Sequence, residues 1–275
     1  MSAAACPAPT RSVILVRIVD VLRDIARGGL AAALAGIVVL GLGGRVVMRI
    51  AAAVNPDATG LRTEAGEVVG VVTAQGSLGL LVFGGLASGI VAGIVWVVVS
   101  PWIPGTGPRR WLLAMLVTVA LGGSFLVQSG NPDFVILGPD LPIVAMLLGL
   151  VALFGAAVAW LDERIERRLP RPGGNRIVLL LIYGAIAAFG FLAVPVALSF
   201  YLSTSGFGSV RPGLTGWALI VVGAATMTWW AARIAMGRSD RPPALLAIGR
   251  IGLVAAVLLG FAHLGPEVAK IVAGS

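Results

Sequence analysis

A single cysteine, a single histidine and a single lysine stand in 275 residues, and each scarcity closes off a chemistry. Cys6 is alone, so no disulfide forms within the chain and no redox compartment follows. Zinc, copper and bis-histidine haem sites need converging His, Cys or carboxylate ligands, and His263 and Cys6 are the whole His and Cys supply. No metal and no cofactor is expected. A retinal Schiff base needs a lysine inside a helix bundle, whereas Lys270 follows the last apolar run. Serine hydrolysis within a bilayer would pair Ser88 with His263. Their apolar runs place them roughly 10 Å apart in depth at about 1.5 Å rise per residue, too far for a hydrogen bond. A phosphate loop is missing, since Gly41-Leu-Gly-Gly44 lies inside an apolar run and lacks the spacing that follows. No catalytic constellation is found, and an enzyme is not expected.

Charge is scarce too. Charged residues make up 12% of the chain and apolar residues 58%, against about 25% charged in an ordinary soluble domain. A soluble fold of this size lacks polar surface on such a composition. Lipid as solvent resolves the deficit, because a run of about 20 apolar residues spans the hydrocarbon as a helix. Seven runs qualify, near 28–50, 78–100, 111–129, 141–161, 177–202, 214–235 and 243–264. The expected fold is an all-α integral membrane protein, a bundle of seven transmembrane helices. Residues 28–275 form its polytopic domain, preceded by a disordered 1–10 and an interfacial helix over 11–27. In that last segment Arg17, Asp20, Arg23, Asp24 and Arg27 share about a third of the helical wheel, and Val13, Ile14, Val16, Ile18, Val21, Leu22 and Ile25 fill the rest. A plain extension of the first spanning helix is the alternative.

The net charge of +8 would raise nucleic acid as a partner in a soluble chain. Here the arginines sit in short loops, so orientation explains them and nucleic acid is set aside. Fourteen basic residues fall in the N-terminal segment and the second, fourth and sixth loops. Only Arg62, Arg211 and Lys270 fall in the alternate loops and the C-terminus. The positive-inside rule then puts the N-terminus in the cytoplasm and the C-terminus outside, in the plasma membrane. Anionic lipid headgroups at the cytoplasmic face are expected partners beside the bilayer itself. The near-exclusive use of arginine is ascribed to coding bias, since an orientation signal needs the charge and not the guanidinium shape.

Several local features carry expectations. Residues 64–75 form either a short outer-surface or re-entrant helix or the start of a long tilted one, with Ser77 capping the second span. Pro195 kinks the fifth span. The fourth span continues as a charged helix to Pro170. Asn55-Pro-Asp57 and Asn131-Pro-Asp133 each follow a Gly-Gly pair, which reads as a duplicated hairpin or as chance. Gly85, Gly89 and Gly93 form a packing stripe for a neighbouring helix, with a partner subunit or second copy as the other occupant.

The candidate site lies at the outer end of the first span. Arg45 and Arg49 are four residues apart on one helix face. Asp57, Glu64, Glu67, Asp133 and Asp140 in the outer loops are the carboxylates available to them, with snorkelling as the alternative. Arg250 near the cytoplasmic side is read as snorkelling. No Asp, Glu or His falls at mid-membrane, which weakens proton-coupled transport. Thr118, Ser124, Tyr183, Thr226 and Thr228 remain to line a path, each able to bond its own backbone instead. The function expected first is a transporter or channel for a small or lipidic solute. A non-catalytic membrane subunit or scaffold is the alternative, and a membrane enzyme comes third.

Overall fold

In hydrocarbon a chain must satisfy its backbone internally, and a helix does so within one segment. The apolar runs of this sequence obey that rule. The computed structural model describes residues 11–62, 68–71, 73–131, 141–171, 176–202, 213–237 and 240–273. Among them seven helices are long and apolar enough to cross a membrane: α1 Ser12–Val54, α2 Ala74–Trp102, α3 Pro108–Leu126, α4 Leu141–Arg168, α5 Arg176–Ser199, α6 Gly213–Met236 and α7 Pro243–Ala273. The chain is accordingly a multi-pass helical membrane protein. The expected disordered segment 1–10 lies outside the described residues.

Helix ends follow from local chemistry. Thr73, not Ser77, caps α2: its Oγ1 accepts from the Gly76 amide at 3.0 Å. Ser77 sits inside the first turn and donates to the Thr73 carbonyl at 2.8 Å. Pro108 opens α3 directly after Gly107. The charged tail of α4 runs to Arg168, just short of Pro170. Gly237, at φ +68°, closes α6 in the left-handed conformation that a glycine adopts without strain.

Four boundaries differ from the sequence reading. No break separates residues 11–27 from the first span. One helix runs from Ser12 through Val54, and the charged face of its first half turns toward α4 and α6. A wheel reports that a face is polar, not whether headgroups or neighbouring helix ends cover it. Second, the described part of 64–75 is no helix before Ala74. Residues 68–71 fold back, with the Val69 amide donating to the Leu61 carbonyl at 2.9 Å and one antiparallel bridge joining Arg62 and Val68. Residues 63–67 lie outside the described part. Third, the kink expected at Pro195 is present but takes the form of an interruption at Ala193, two residues earlier, where the missing Pro195 amide leaves the preceding turn unsupported. Fourth, α7 passes through Pro266 and ends at Ala273, so Lys270 lies within it. Of the second Asn-Pro-Asp triplet only Asn131 is described.

The interior is built around α1, which packs against α2, α4, α5 and α6. Its closest approach is to α2. A Cβ on Gly89 would lie 2.7 Å from the Ala32 carbonyl oxygen, and one on Gly36 would lie 2.4 Å from that of Gly85. Gly93 rests against Ala32 and Gly29. The Gly85–Gly89–Gly93 stripe is therefore occupied by a helix of its own chain. Three π-helical segments interrupt the long helices near this level: Gly36–Leu42 in α1, Leu80–Ala87 in α2 and Val119–Gly123 in α3. Below them Trp96, Val99, Trp102, Val117, Phe154, Val158, Val222 and Leu253 form the main apolar core.

Candidate functional site

The outer-end residues are placed first. Arg45 lies on α1 with Nε and Nη2 buried and without hydrogen-bond partners. Arg49 is exposed. Among the described residues neither arginine meets a carboxylate within 4 Å. Asp57 is exposed in the turn Pro56–Ala58. Glu64, Glu67, Asp133 and Asp140 lie outside the described residues. The polar contacts at this end centre on another group. Glu267 of α7 accepts from the Ser129 amide at 2.8 Å and hydroxyl at 2.7 Å, and pairs with Lys270 at 2.7 Å.

The richest charge chemistry lies at the opposite end, where α1, α3, α5 and α7 begin and α2, α4 and α6 finish. Asp162 of α4 is 0% exposed and bridges two helices: its Oδ1 lies 2.8 Å from Arg27 Nε and its Oδ2 accepts from Arg110 Nη2 at 2.9 Å. The Arg27 contact is an ion pair without an aligned hydrogen bond. Arg27 also meets Glu166 at 3.0 Å, and Arg233 donates to Asp24 at 2.6 Å. Glu163 accepts from the Gly107 amide at 2.9 Å and from Trp111 Nε1 at 3.3 Å, a carboxylate set at the positive end of α3.

Three further arginines dock on the finishing ends of the even-numbered helices. Arg17 donates to the Ile234 and Ala235 carbonyls at the end of α6, at 3.2 and 3.1 Å. A Cβ on Gly237 would strike its guanidinium. Arg23 donates to the Glu166 and Leu169 carbonyls at the end of α4, at 2.6 and 3.2 Å. Arg241 donates to the Pro101 carbonyl at the end of α2. Last-turn carbonyls lack helical partners and carry the negative end of the helix dipole, so a cation with several donors satisfies both demands. At these three places the guanidinium shape has a use of its own, beside the coding bias to which the arginine usage was ascribed. A guanidinium fork reaches two carbonyls at once, which one ammonium on a flexible stem matches less well.

A cavity of about 590 Å³ opens among these groups. Its wall carries Arg23, Arg27, Arg110, Arg233, Arg241 and Arg250 against only three carboxylates, Asp20, Asp24 and Glu166. Trp229, Trp230 and the Ser100–Gly105 connection complete it. Arg241 lies over two indoles, 4.6 Å from the Trp229 ring centre and 5.7 Å from that of Trp102. Burial, with Arg250, Arg233 and Arg110 nearby, pushes its guanidinium below the ordinary arginine pKa. Arg250 makes no hydrogen bond or ion pair among the described residues. The indole Nε1 groups of Trp229 and Trp230 are buried and likewise without acceptors.

The hydroxyls considered for a path are already engaged. Thr118 donates to the Ala114 and Val151 carbonyls, Ser124 to Leu121, Thr228 to Ala224 and Tyr183 to Pro170. Thr226 accepts from Trp102 Nε1 at 2.9 Å and donates to the Val98 carbonyl at 2.8 Å, tying α6 to α2. Ser88 donates to the Phe83 carbonyl, and His263 Nε2 is buried without a partner. The sequence reading passed over Arg241, Trp229 and Trp230, and took Arg250 as snorkelling. A tryptophan pair beside loop arginines was the available signal. Compared with protein-family models, curated proteins and solved structures, the chain matches none.

Proposed function

We propose that this membrane protein binds and moves a small or lipidic solute, taking it up in the arginine-lined cavity at one end of the bundle. The cavity carries the reading: it is a roomy, charged opening between helices in a chain with few charges to place. The hydroxyls within the bundle support the same location, since each is engaged with a backbone carbonyl and leaves no rival polar site among them. The π-helical segments of α1, α2 and α3 supply pliant points in the helices beyond the cavity, and such segments concentrate at functional sites. The scaffold reading loses its main support, because the glycine stripe meant for a partner is filled by α1. An enzyme reading gains none.

Native mass spectrometry of the protein released gently from its own membrane tests this. The expected spectrum shows the chain carrying a bound lipid or small molecule that the Arg241→Gln variant fails to retain. A spectrum dominated by stoichiometric partner chains, with no bound molecule, would replace transport by the scaffold reading.

A further inference from the structure

Resting on that reading of the cavity, we infer that its ligand is a phosphate-bearing anion, taken by Arg241 and Arg250. The lining decides the sign. Guanidinium and indole N–H groups donate and never accept. Six arginines face three carboxylates, and two of those carboxylates are committed elsewhere. Asp24 holds Arg233 and Glu166 holds Arg27. Arg23 is engaged with the end of α4, and Arg110 with Asp162. Arg250 and the part of Arg241 not spent on the Pro101 carbonyl are what remain, with no carboxylate within 4 Å among the described residues. The wall thus carries more cations than carboxylates, with Asp20 its one carboxylate outside an ion pair among the described residues.

The shape of the donor set favours phosphate over carboxylate. Donors arrive from two separate places, Arg241 in the connection before α7 and Arg250 on α7, with the paired Arg233 of α6 adding positive charge beside them. A tetrahedral phosphate presents oxygens in several directions, whereas a carboxylate presents two in one plane. The two indoles beside Arg241 and the Pro101 carbonyl hold its guanidinium in place, so less freedom is lost when it binds. Its pKa is lowered first by burial and then by Arg250, Arg233 and Arg110 nearby, and a bound anion offsets the repulsion among these cations. Arg241 remains a cation at neutral pH all the same. The phosphate belongs either to a lipid headgroup entering from the bilayer or to a solute entering from water.

The test uses the full chain in phosphatidylcholine nanodiscs containing a minor share of phosphatidylglycerol. Retained lipid is read by native mass spectrometry, and thermal stability is read with and without inorganic phosphate. Arg250→Gln is the decisive variant, because Arg250 is exposed and supports no other contact among the described residues. Arg241→Gln is the second, and Arg109→Gln, exposed and off the cavity wall, is the control. Selective retention of phosphatidylglycerol, reduced about tenfold or more by Arg250→Gln and unchanged by Arg109→Gln, supports a lipid phosphate. Stabilisation by inorganic phosphate that Arg250→Gln abolishes, without lipid selectivity, supports a soluble one. Equal retention of both lipids with no phosphate response overturns the anion inference and leaves solute handling standing. An equal loss in Arg109→Gln overturns it as well, since diffuse surface charge then suffices. If no molecule is retained in any arm or from the native membrane, both readings fall.

Discussion

Asp162 shows how much one residue organises at the charged end. A carboxylate with no exposure can stay ionised only if cations and donors surround it, and Arg27 and Arg110 supply both from two other helices. Replacing it with alanine takes the buried carboxylate from two guanidinium groups, leaving Arg27 only Asp24 and the exposed Glu166, and Arg110 only Glu163 at 4.0 Å. The expected cost is about 3–5 kcal/mol, read as a fall in the unfolding midpoint in detergent. Glu166→Gln, which removes a partner 46% exposed, is expected to cost under about 1 kcal/mol. If the two variants unfold together, Asp162 is not the bridge described. At the far end, Arg45 has two buried nitrogens without partners, whereas Arg109 is exposed. Arg45→Ala is expected to alter stability or function while Arg109→Ala does little, and equal tolerance in both assays would remove Arg45 from consideration. Single residues were only half legible in the sequence. The spacing of Arg45 and Arg49 was visible, but the inward turn of Arg27 and Arg241 was not, because arginines outside the apolar runs satisfy the orientation rule wherever their side chains point.

At the scale of elements, the crossing of α1 and α2 sets the geometry of everything else. The helices approach so closely that Gly89 faces a carbonyl oxygen of the other backbone. A methyl group there has to push one helix away, because a backbone does not rotate aside as a side chain does. Gly89→Ala is expected to cost about 1–3 kcal/mol. Gly184→Ala on α5, where nothing lies within 4 Å, is expected to be neutral or mildly stabilising. Parallel thermal melts compare the two, and a neutral Gly89→Ala would contradict the close crossing. The existence of the spans was legible, because about 20 apolar residues admit few other structures. The path of α1 was not. Its first half is amphipathic in sequence, and the same pattern serves an interfacial helix or one whose polar face meets charged helix ends. The end of α7 was not legible either, since the last apolar run stops near residue 264 while the helix continues through the exposed Pro266 to Ala273.

For the whole molecule the open question is sidedness. The loop arginines predict that the charged end faces the cytoplasm. Cys6, the only cysteine, makes a built-in reporter. In sealed vesicles of cytoplasmic-side-in orientation, an impermeant maleimide is expected to reach Cys6 only after permeabilisation. Labelling before permeabilisation would invert the topology and move the cavity to the outer face. The arginines that dock on helix ends bring a consequence of their own. Arg17 and Arg23 carry charge that the insertion machinery reads, and they also clasp carbonyl pairs that only the assembled bundle presents. A lysine at either place keeps the first property and weakens the second. Arg23→Lys therefore separates threading from assembly: a chain correctly laid across the bilayer whose even-numbered helices are no longer latched at their ends.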